Sequence, residues 1–555
     1  MEPDTMPMNY KHQSVSAHQF AMIPRADIPR SAFTMQKGLK TTFDSGYLVP
    51  IFCEEVLPGD TVNLRMTSFV RLATPIFPIM DNLHLESFFF FVPNRLTWSN
   101  WEKFMGQQNS PADSISYVVP TITSPAGGHA VGSVYDYFGL PTVGQVAGGA
   151  TYTHSSLPLR AYAQIFNEWF RDENLVLPKG SGLTGDSSDP VAAYDLALRG
   201  KRHDYFTGAL PWPQKGNTAV SIPLLGNATV KTTNTALFTG AQQAIKFYDT
   251  TGATTGGLKT LATGAAGTGV GIGATSTAGT IAGSEFYPNN LYADLSTATT
   301  TTINALRLAF QTQKLLERDA RGGTRYAEII RSHFGVISPD ARLQRPEYLG
   351  GGHSPIIISP IAQTSATGVT GGTTPAATLS AVGTSLANGH GFSQSFTEHG
   401  YIIGIVNVRA DLTYQQGLRR HWSRSTRYDY YFPAFAALGE QTILNKEIYC
   451  RGDANDSLVF GYQERWAEYR YNPSEITGLF RSTSAGTIDP WHLAQRFTSL
   501  PTLNSTFISE SPPLSRVLAV GAAASGQQLI GDFLYDMRWV RPMPMYSVPG
   551  LIDHF

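Results

Sequence analysis

The chain has 555 residues, 42% hydrophobic and 11% aromatic, with 41 Lys+Arg against 42 Asp+Glu and a formal charge of −1. Near-neutrality excludes a polycation that coats nucleic acid over its whole surface, and 30 Phe, 25 Tyr and 8 Trp exclude a disordered chain, because that much aromatic area must be buried. Charged residues are only 15%, against roughly 25% in an ordinary soluble domain, so a large core and charge-poor subunit interfaces are both expected.

Residues 1–45 are polar and mildly basic, with Lys11, Arg25, Arg30, Lys37 and Lys40, and show no strong periodicity; they read as an arm. No apolar run there suits a signal peptide, and the longest apolar stretch, Phe88 to Val92, is far below membrane-spanning length. Cytoplasmic folding without membrane insertion is therefore expected. Val62, Leu64, Met66, Val70 and Leu72 alternate with polar residues, which predicts a strand. Leu83 to Val92 is apolar on both faces near its end, so it is expected between two layers until Pro93 stops it. Trp98, Trp101, Phe104 and Met105 suggest a short amphipathic helix. Helical spacing of Leu159, Tyr162, Ala163, Phe166, Trp169 and Phe170 predicts a helix over 158–173, and a second is predicted over 303–319, ended by Gly322-Gly323.

Between these helices, residues 251–280 hold nine Gly, nine Thr and six Ala, with Lys259 the single charge. The wider segment 216–300 reads as an insertion, and a milder Gly/Thr/Ala/Ser patch covers 362–390. Strand character returns at Tyr401–Tyr414 and Phe460–Tyr471. Long excursions between strands, without regular β-α alternation, argue against Rossmann and TIM architectures.

Catalytic spacings are absent: there is no phosphate-binding G-x-x-x-x-G-K-[ST], no H-E-x-x-H and no G-x-S-x-G. Two cysteines, Cys53 and Cys450, provide neither a disulfide framework nor a four-cysteine zinc site, and no cofactor, metal or catalytic residue is expected. Arg451-Gly452-Asp453 reads as an ordinary turn. Two basic segments stand out. Residues 409–431 carry Arg409, Arg419, Arg420, Arg424 and Arg427 among Trp422, Tyr428, Tyr430 and Tyr431. That composition suits unpaired bases and phosphates, and somewhat better an Arg/Tyr-rich subunit interface. Residues 314–345 balance their arginines with Glu317, Asp319, Glu328 and Asp340, and salt-bridged structure is expected there.

Several long stretches carry a resemblance: LPGDTVNLRMTSFVRLATPIFPIMDN (57–82), FFFFVPNRLTWSNWEKFMG (88–106), KRHDYFTGALPWPQKG (201–216), LLERDARGGTRYAEIIRSHFGVISPDARLQRPEYLGG (315–351) and FTEHGYIIGIVNVRADLTYQQGLRRHWSR (396–424). The sequence resembles the major capsid proteins of the Microviridae, in particular the gokushovirus branch. The resemblance runs nearly the whole chain and lapses at about 217–300 and 362–390.

It implies an all-β fold, an eight-stranded antiparallel jelly roll with long inserted loops and a few helices. On that reading 1–45 is an interior arm, 46–215 the first part of the jelly roll with helical insertions, 216–300 a surface insertion, and 301–555 the remainder. It also implies a T=1 icosahedral homo-oligomer in the virion, assembled in the bacterial host cytoplasm around a circular single-stranded DNA genome. Implied partners are a small basic DNA-binding protein, an internal scaffolding protein, a pilot protein and a host cell-surface receptor. Lys11, Arg25, Arg30, Arg419, Arg420, Arg424 and Arg427 are the candidates for facing DNA. Phe238, Phe247, Tyr248, Phe286, Tyr287 and Tyr292 are candidates for the stalk of a threefold protrusion with 251–280 at its tip, where a receptor could be met. The competing expectation, a glycan-cleaving enzyme of the phage surface on an all-β scaffold, needs two carboxylates across a cleft, and no such pair is evident.

Overall fold

The computed structural model describes residues 29–111, 116–216, 229–232, 291–294, 303–365, 377–519 and 527–546. The chain divides into two units, one of residues 1–215 with 317–555 and one of 216–316.

The first unit is built on eight strands: β1 (Ser31–Phe43), β2 (Val49–Val56), β3 (Thr61–Leu72), β4 (Leu83–Pro93), β5 (Glu347–Ala362), β6 (Leu379–Ser395), β7 (Gly400–Ala410) and β8 (Leu529–Arg541). They form one sheet in the order β1-β8-β3-β6-β5-β4-β7-β2, antiparallel throughout. First pairs with last, second with seventh, third with sixth and fourth with fifth. This nested pairing is that of one long hairpin rolled up, and it is the jelly roll. All eight strands contribute to a single core, including Phe43, Ile51, Leu64, Phe89, Val406 and Tyr535. The two edge strands are bridged by a side chain, Lys37 Nζ to Glu54 Oε1 at 2.8 Å.

The sequence explains most of this arrangement. In β3 the apolar residues Val62, Leu64, Met66, Val70 and Leu72 face inward and are buried, as their alternation predicts. β4 is buried on both faces: Phe89 and Phe91 join the main core, while Phe90 and Val92 join a second cluster outside it. That second cluster is closed by helix α1 (Leu157–Ile165) through Leu159, Tyr162 and Ile165, with the Tyr162 hydroxyl donating to Leu48 O at 2.7 Å. Full burial of each such side chain contributes about 1.5–3 kcal/mol. In β7, a Cβ at Gly404 would lie 2.7 Å from Phe89 Cε1 and 2.8 Å from Phe52 Cβ, so only glycine lets these rings close over the strand.

Three elements differ from expectation. Residues 31–43, within the segment read as an arm, form β1; Ser31, Lys37 and Thr41 occupy positions that face the sheet, which hides the alternation of Phe33, Leu39 and Phe43. Residues 379–390 of the small-residue patch at 362–390 belong to strand β6, whose Gly383 would place a Cβ 2.9 Å from Leu72, so small residues suit that close approach, while 366–376 lie outside the described residues. The strand expected over 460–471 stops early: Val459–Glu464 is extended, then Trp466 turns at φ 70° with its indole donating to Phe435 O at 3.1 Å.

The predicted helix near 300 is α2 (Ile303–Gly322), and Gly323 at φ 95° ends it. Helix α3 (Tyr326–Phe334) follows. Among the described residues no helix is long and apolar enough to cross a membrane. The second unit contains an antiparallel pair, Thr229–Thr232 with Leu291–Asp294, which brings together the two ends of the chain between them.

Candidate functional site

A third cluster joins Tyr205 and Phe206, from the segment between β4 and β5, to Tyr414, Ile443, Phe460 and Phe507, from the segment between β7 and β8. Beside it opens a cleft of about 220 Å³ lined by Arg419, Arg420, Arg424, Glu447, Glu468 and Tyr469, among others. The arginines expected to face DNA are largely committed here to partners within the chain. Arg420 Nη1 donates to Thr442 O at 2.7 Å and to Glu447 Oε1 at 3.1 Å, and the Tyr205 hydroxyl donates to Glu447 Oε2 at 2.8 Å. Burial pushes the Glu447 carboxyl above its usual range, and the Arg420 charge pulls it back only in part. Arg424 donates to Glu468 Oε1 at 3.1 Å and to the Tyr469 hydroxyl at 2.6 Å, and its guanidinium lies 4.7 Å from the Tyr469 ring centre. Arg419 pairs with Glu475 at 3.2 Å and donates to Pro473 O. Arg427 is exposed, 5.5 Å from the Tyr428 ring centre.

Around these fixed arginines the aromatic rings face outward. Trp422 is 72% exposed, Tyr428 62% and Tyr430 50%, with Tyr431 and Phe432 also exposed. Salt-bridged charge beneath exposed aromatic surface has the composition of a protein interface.

Arg409, from the same basic run, lies elsewhere, in β7. Glu86 of β4 gathers three arginines: Arg199 in a short hydrogen bond, Arg409 at 3.1 Å and Arg202 at 3.5 Å. Burial works against the Glu86 charge, but Arg199 and Arg409 outweigh it and hold the carboxyl below its usual range. Arg202 also pairs with Asp411 at 2.9 Å. Arg199 and Arg202 were not singled out from the sequence, although the basic, aromatic-flanked run Arg199 to Phe206 offered the signal.

Arg30 is exposed and donates to Gly59 O and to Thr61 Oγ1. Lys11, Arg25, Phe238, Phe247, Tyr248, Phe286 and Tyr287 lie outside the described residues. Of Tyr292 only the strand pairing with Lys231 is described. The salt bridges expected over 314–345 are present: Arg321 with Glu440, Arg325 with Glu173 and Glu328, His333 with Asp319 and Arg345 with Asp340. Among the described residues no cluster of side chains suits a metal ion.

Comparison with known proteins agrees with this architecture. The family described as "Capsid protein (F protein)" matches residues 21–551. The chain is 48% identical to "Capsid protein VP1" of Bdellovibrio phage phiMH2K over 546 residues, 97% of this chain and 98% of that one. It is 44% identical to "Capsid protein VP1" of Chlamydia phage 1, over 98% of this chain and 99% of that one. With "Capsid protein VP1" of Spiroplasma virus 4 the identity is 38%, over 96% of this chain and 97% of the other. A jelly roll with an exposed aromatic surface, matched end to end by structural proteins of phage particles, places the chain in the Microviridae capsid (F protein) family: a structural component of the virion and not an enzyme.

Proposed function

We propose that copies of this chain close a T=1 icosahedral shell around a circular single-stranded DNA genome. The observation that carries this reading is the exposed aromatic surface of Trp422, Tyr428, Tyr430, Tyr431 and Phe432 over arginines already held by Glu447, Glu468 and Glu475. A single chain leaves these rings in water; a symmetric neighbour buries them, and many such contacts close a shell. The ion pairing moves Arg419, Arg420 and Arg424 toward the interface role and away from direct phosphate contact. Genome phosphates then draw on Lys11, Arg25 and other basic residues of the arm, and on a small basic DNA-binding protein. Internal scaffolding and pilot proteins complete assembly in the host cytoplasm.

Segment 216–300 is proposed as a protrusion at the threefold axes that meets a host receptor. The division of the chain at 216–316 and the pairing of 229–232 with 291–294 support its reading as an insertion. Electron microscopy of particles containing this protein tests the proposal. Closed icosahedral shells are expected; a chain that stays monomeric with its phage partners present overturns it.

A further inference from the structure

Outside the barrel, where β4, β7 and the segment after α1 meet, lies a recess of about 500 Å³. This is within the roughly 300–1,000 Å³ that small-ligand pockets span. One group of lining side chains is cationic or can become so: Arg199, Lys201, Arg202, His203 and Arg409. The other is aromatic: Phe88, Phe90, Trp169, Phe170 and Tyr348. No carboxylate lines it among the described residues. Of the compensating acids, Glu86 and Glu510 are withheld behind it, 8% and 1% exposed, while Asp411, paired with Arg202 at 2.9 Å, is half-buried beside it.

The aromatic wall is continuous and held in place. Phe90 lies 5.5 Å from Trp169 and 5.5 Å from Tyr348 between ring centres, and Phe88 is 5.3 Å from Phe170. The Trp169 indole donates to Pro346 O at 2.9 Å, and Arg345 lies 4.4 Å over its ring. Both Trp169 and Phe170 belong to a single π-helical turn, Phe166–Phe170, that follows α1. Such turns carry an extra residue, a cost often met at functional sites. Tyr348 closes the wall with 43% of its surface in water.

The basic wall retains donors. Lys201 has Gln495 Oε1 as its acceptor among the described residues, at 3.4 Å, and the Arg202 guanidinium, shared between Asp411 and Glu86, is still 36% exposed. Cations beside a fixed aromatic face, with no carboxylate in the lining, is the combination that unpaired nucleotides require: phosphate on the cations and base on the rings.

We propose that this recess binds an unpaired nucleotide of single-stranded DNA, its base against Tyr348 and Trp169 and its phosphate toward Lys201 and Arg202. The inference rests on the genome-enclosing reading above and deepens it by assigning the genome a specific seat on the protein. The recess then belongs to the inner surface of the shell.

Ultraviolet cross-linking of purified, DNA-filled particles, followed by peptide mass spectrometry, tests it. Nucleotide adducts are expected on the peptides containing Trp169 or Tyr348. With the full-length chain and the oligonucleotide dT4, Tyr348→Ala is expected to weaken binding at least about fivefold, while Tyr348→Phe keeps it, because stacking needs the ring and not the hydroxyl. Filled particles whose adducts all map elsewhere overturn the recess and leave genome enclosure standing. A neighbouring chain's peptide cross-linked in the recess in place of nucleotide overturns it as well. Particles that never contain DNA overturn the genome-enclosing reading itself.

Discussion

Arg160 of α1 and Asp189 face each other as a bidentate ion pair, Nε to Oδ2 at 2.8 Å and Nη2 to Oδ1 at 2.7 Å, with side-chain exposures of 3% and 0%. Arg160 also donates to Thr97 O at 3.2 Å and to Gly185 O at 3.0 Å, and the Tyr194 hydroxyl donates to Asp189 Oδ2 at 2.8 Å. The pair thus pins the loop 184–194 to the layer that covers β4.

Removing one partner leaves the other charge buried and uncompensated, which costs about 3–5 kcal/mol. Asp189→Ala is expected to lower stability by that amount, read as a shift of the urea midpoint of the full chain. A change below about 1 kcal/mol would show that the loop relaxes and lets water reach Arg160.

The aromatic surface separates assembly from folding. Trp422→Ala and Tyr428→Ala remove exposed rings, so monomer stability should change by no more than about 0.5 kcal/mol. At a subunit interface the same rings are worth about 2 kcal/mol or more each. Sedimentation should therefore show intact monomers and a loss of closed particles. Particle yield equal to the parent's would remove this surface from the interface.

Glu510 makes stability depend on pH. It is 1% exposed, and burial raises its pKa from 4.5 to about 7, opposed by Lys201, Arg409, a backbone hydrogen bond from Ala410 and Arg199. The folded state holds this proton more tightly than the unfolded one. The resulting stability is fully present below about pH 4.5 and is lost as pH rises to about 7. The span is worth about 3 kcal/mol. Glu510→Gln keeps the neutral form, so its advantage over the parent should widen by about that amount between pH 4.5 and 8. Urea midpoints measured across this range check it, and a constant gap refutes it.

The low-complexity run offers little apolar area against roughly 1–2 kcal/mol of backbone entropy per ordered residue. Replacing 251–280 with a short Gly/Ser linker is expected to leave shells assembled and to change attachment to host cells. Loss of assembly would make the run part of the core, and unchanged attachment would reduce it to a surface loop.

Legibility of the fold tracked how each residue is buried. β3 announces itself because its inward face is apolar without exception over Val62, Leu64 and Met66, and β4 because Phe88 to Phe91 leave no polar face. β8 carries the same alternation in Leu529, Phe533, Tyr535, Met537 and Trp539, outside the strands expected above. β1 was hidden because Lys37 faces inward and finds its partner on another strand, Glu54. The site was less legible for the same reason at longer range. Composition singled out Arg420 and Arg424, but their partners Glu447 and Glu468 arrive later in the chain, and only the fold brings them together. The recess draws Phe88, Trp169, Arg199 and Tyr348 from four separate segments, so no local pattern could display it.

The nested strand order also sets a schedule for synthesis. β1 finds its neighbour only in β8, with Ser31 opposite Arg541 and Phe43 opposite Leu529. At about 5–20 residues per second, the ribosome needs roughly half a minute to two minutes between releasing the first strand and releasing the last. Through that interval β1 and one side of β3 wait with open backbone edges, the state most prone to wrong pairing and proteolysis. A chain cut short before its final strand has no means of closing the roll. Prematurely terminated translation products are thereby kept out of the lattice by topology, before any neighbouring subunit has to reject them.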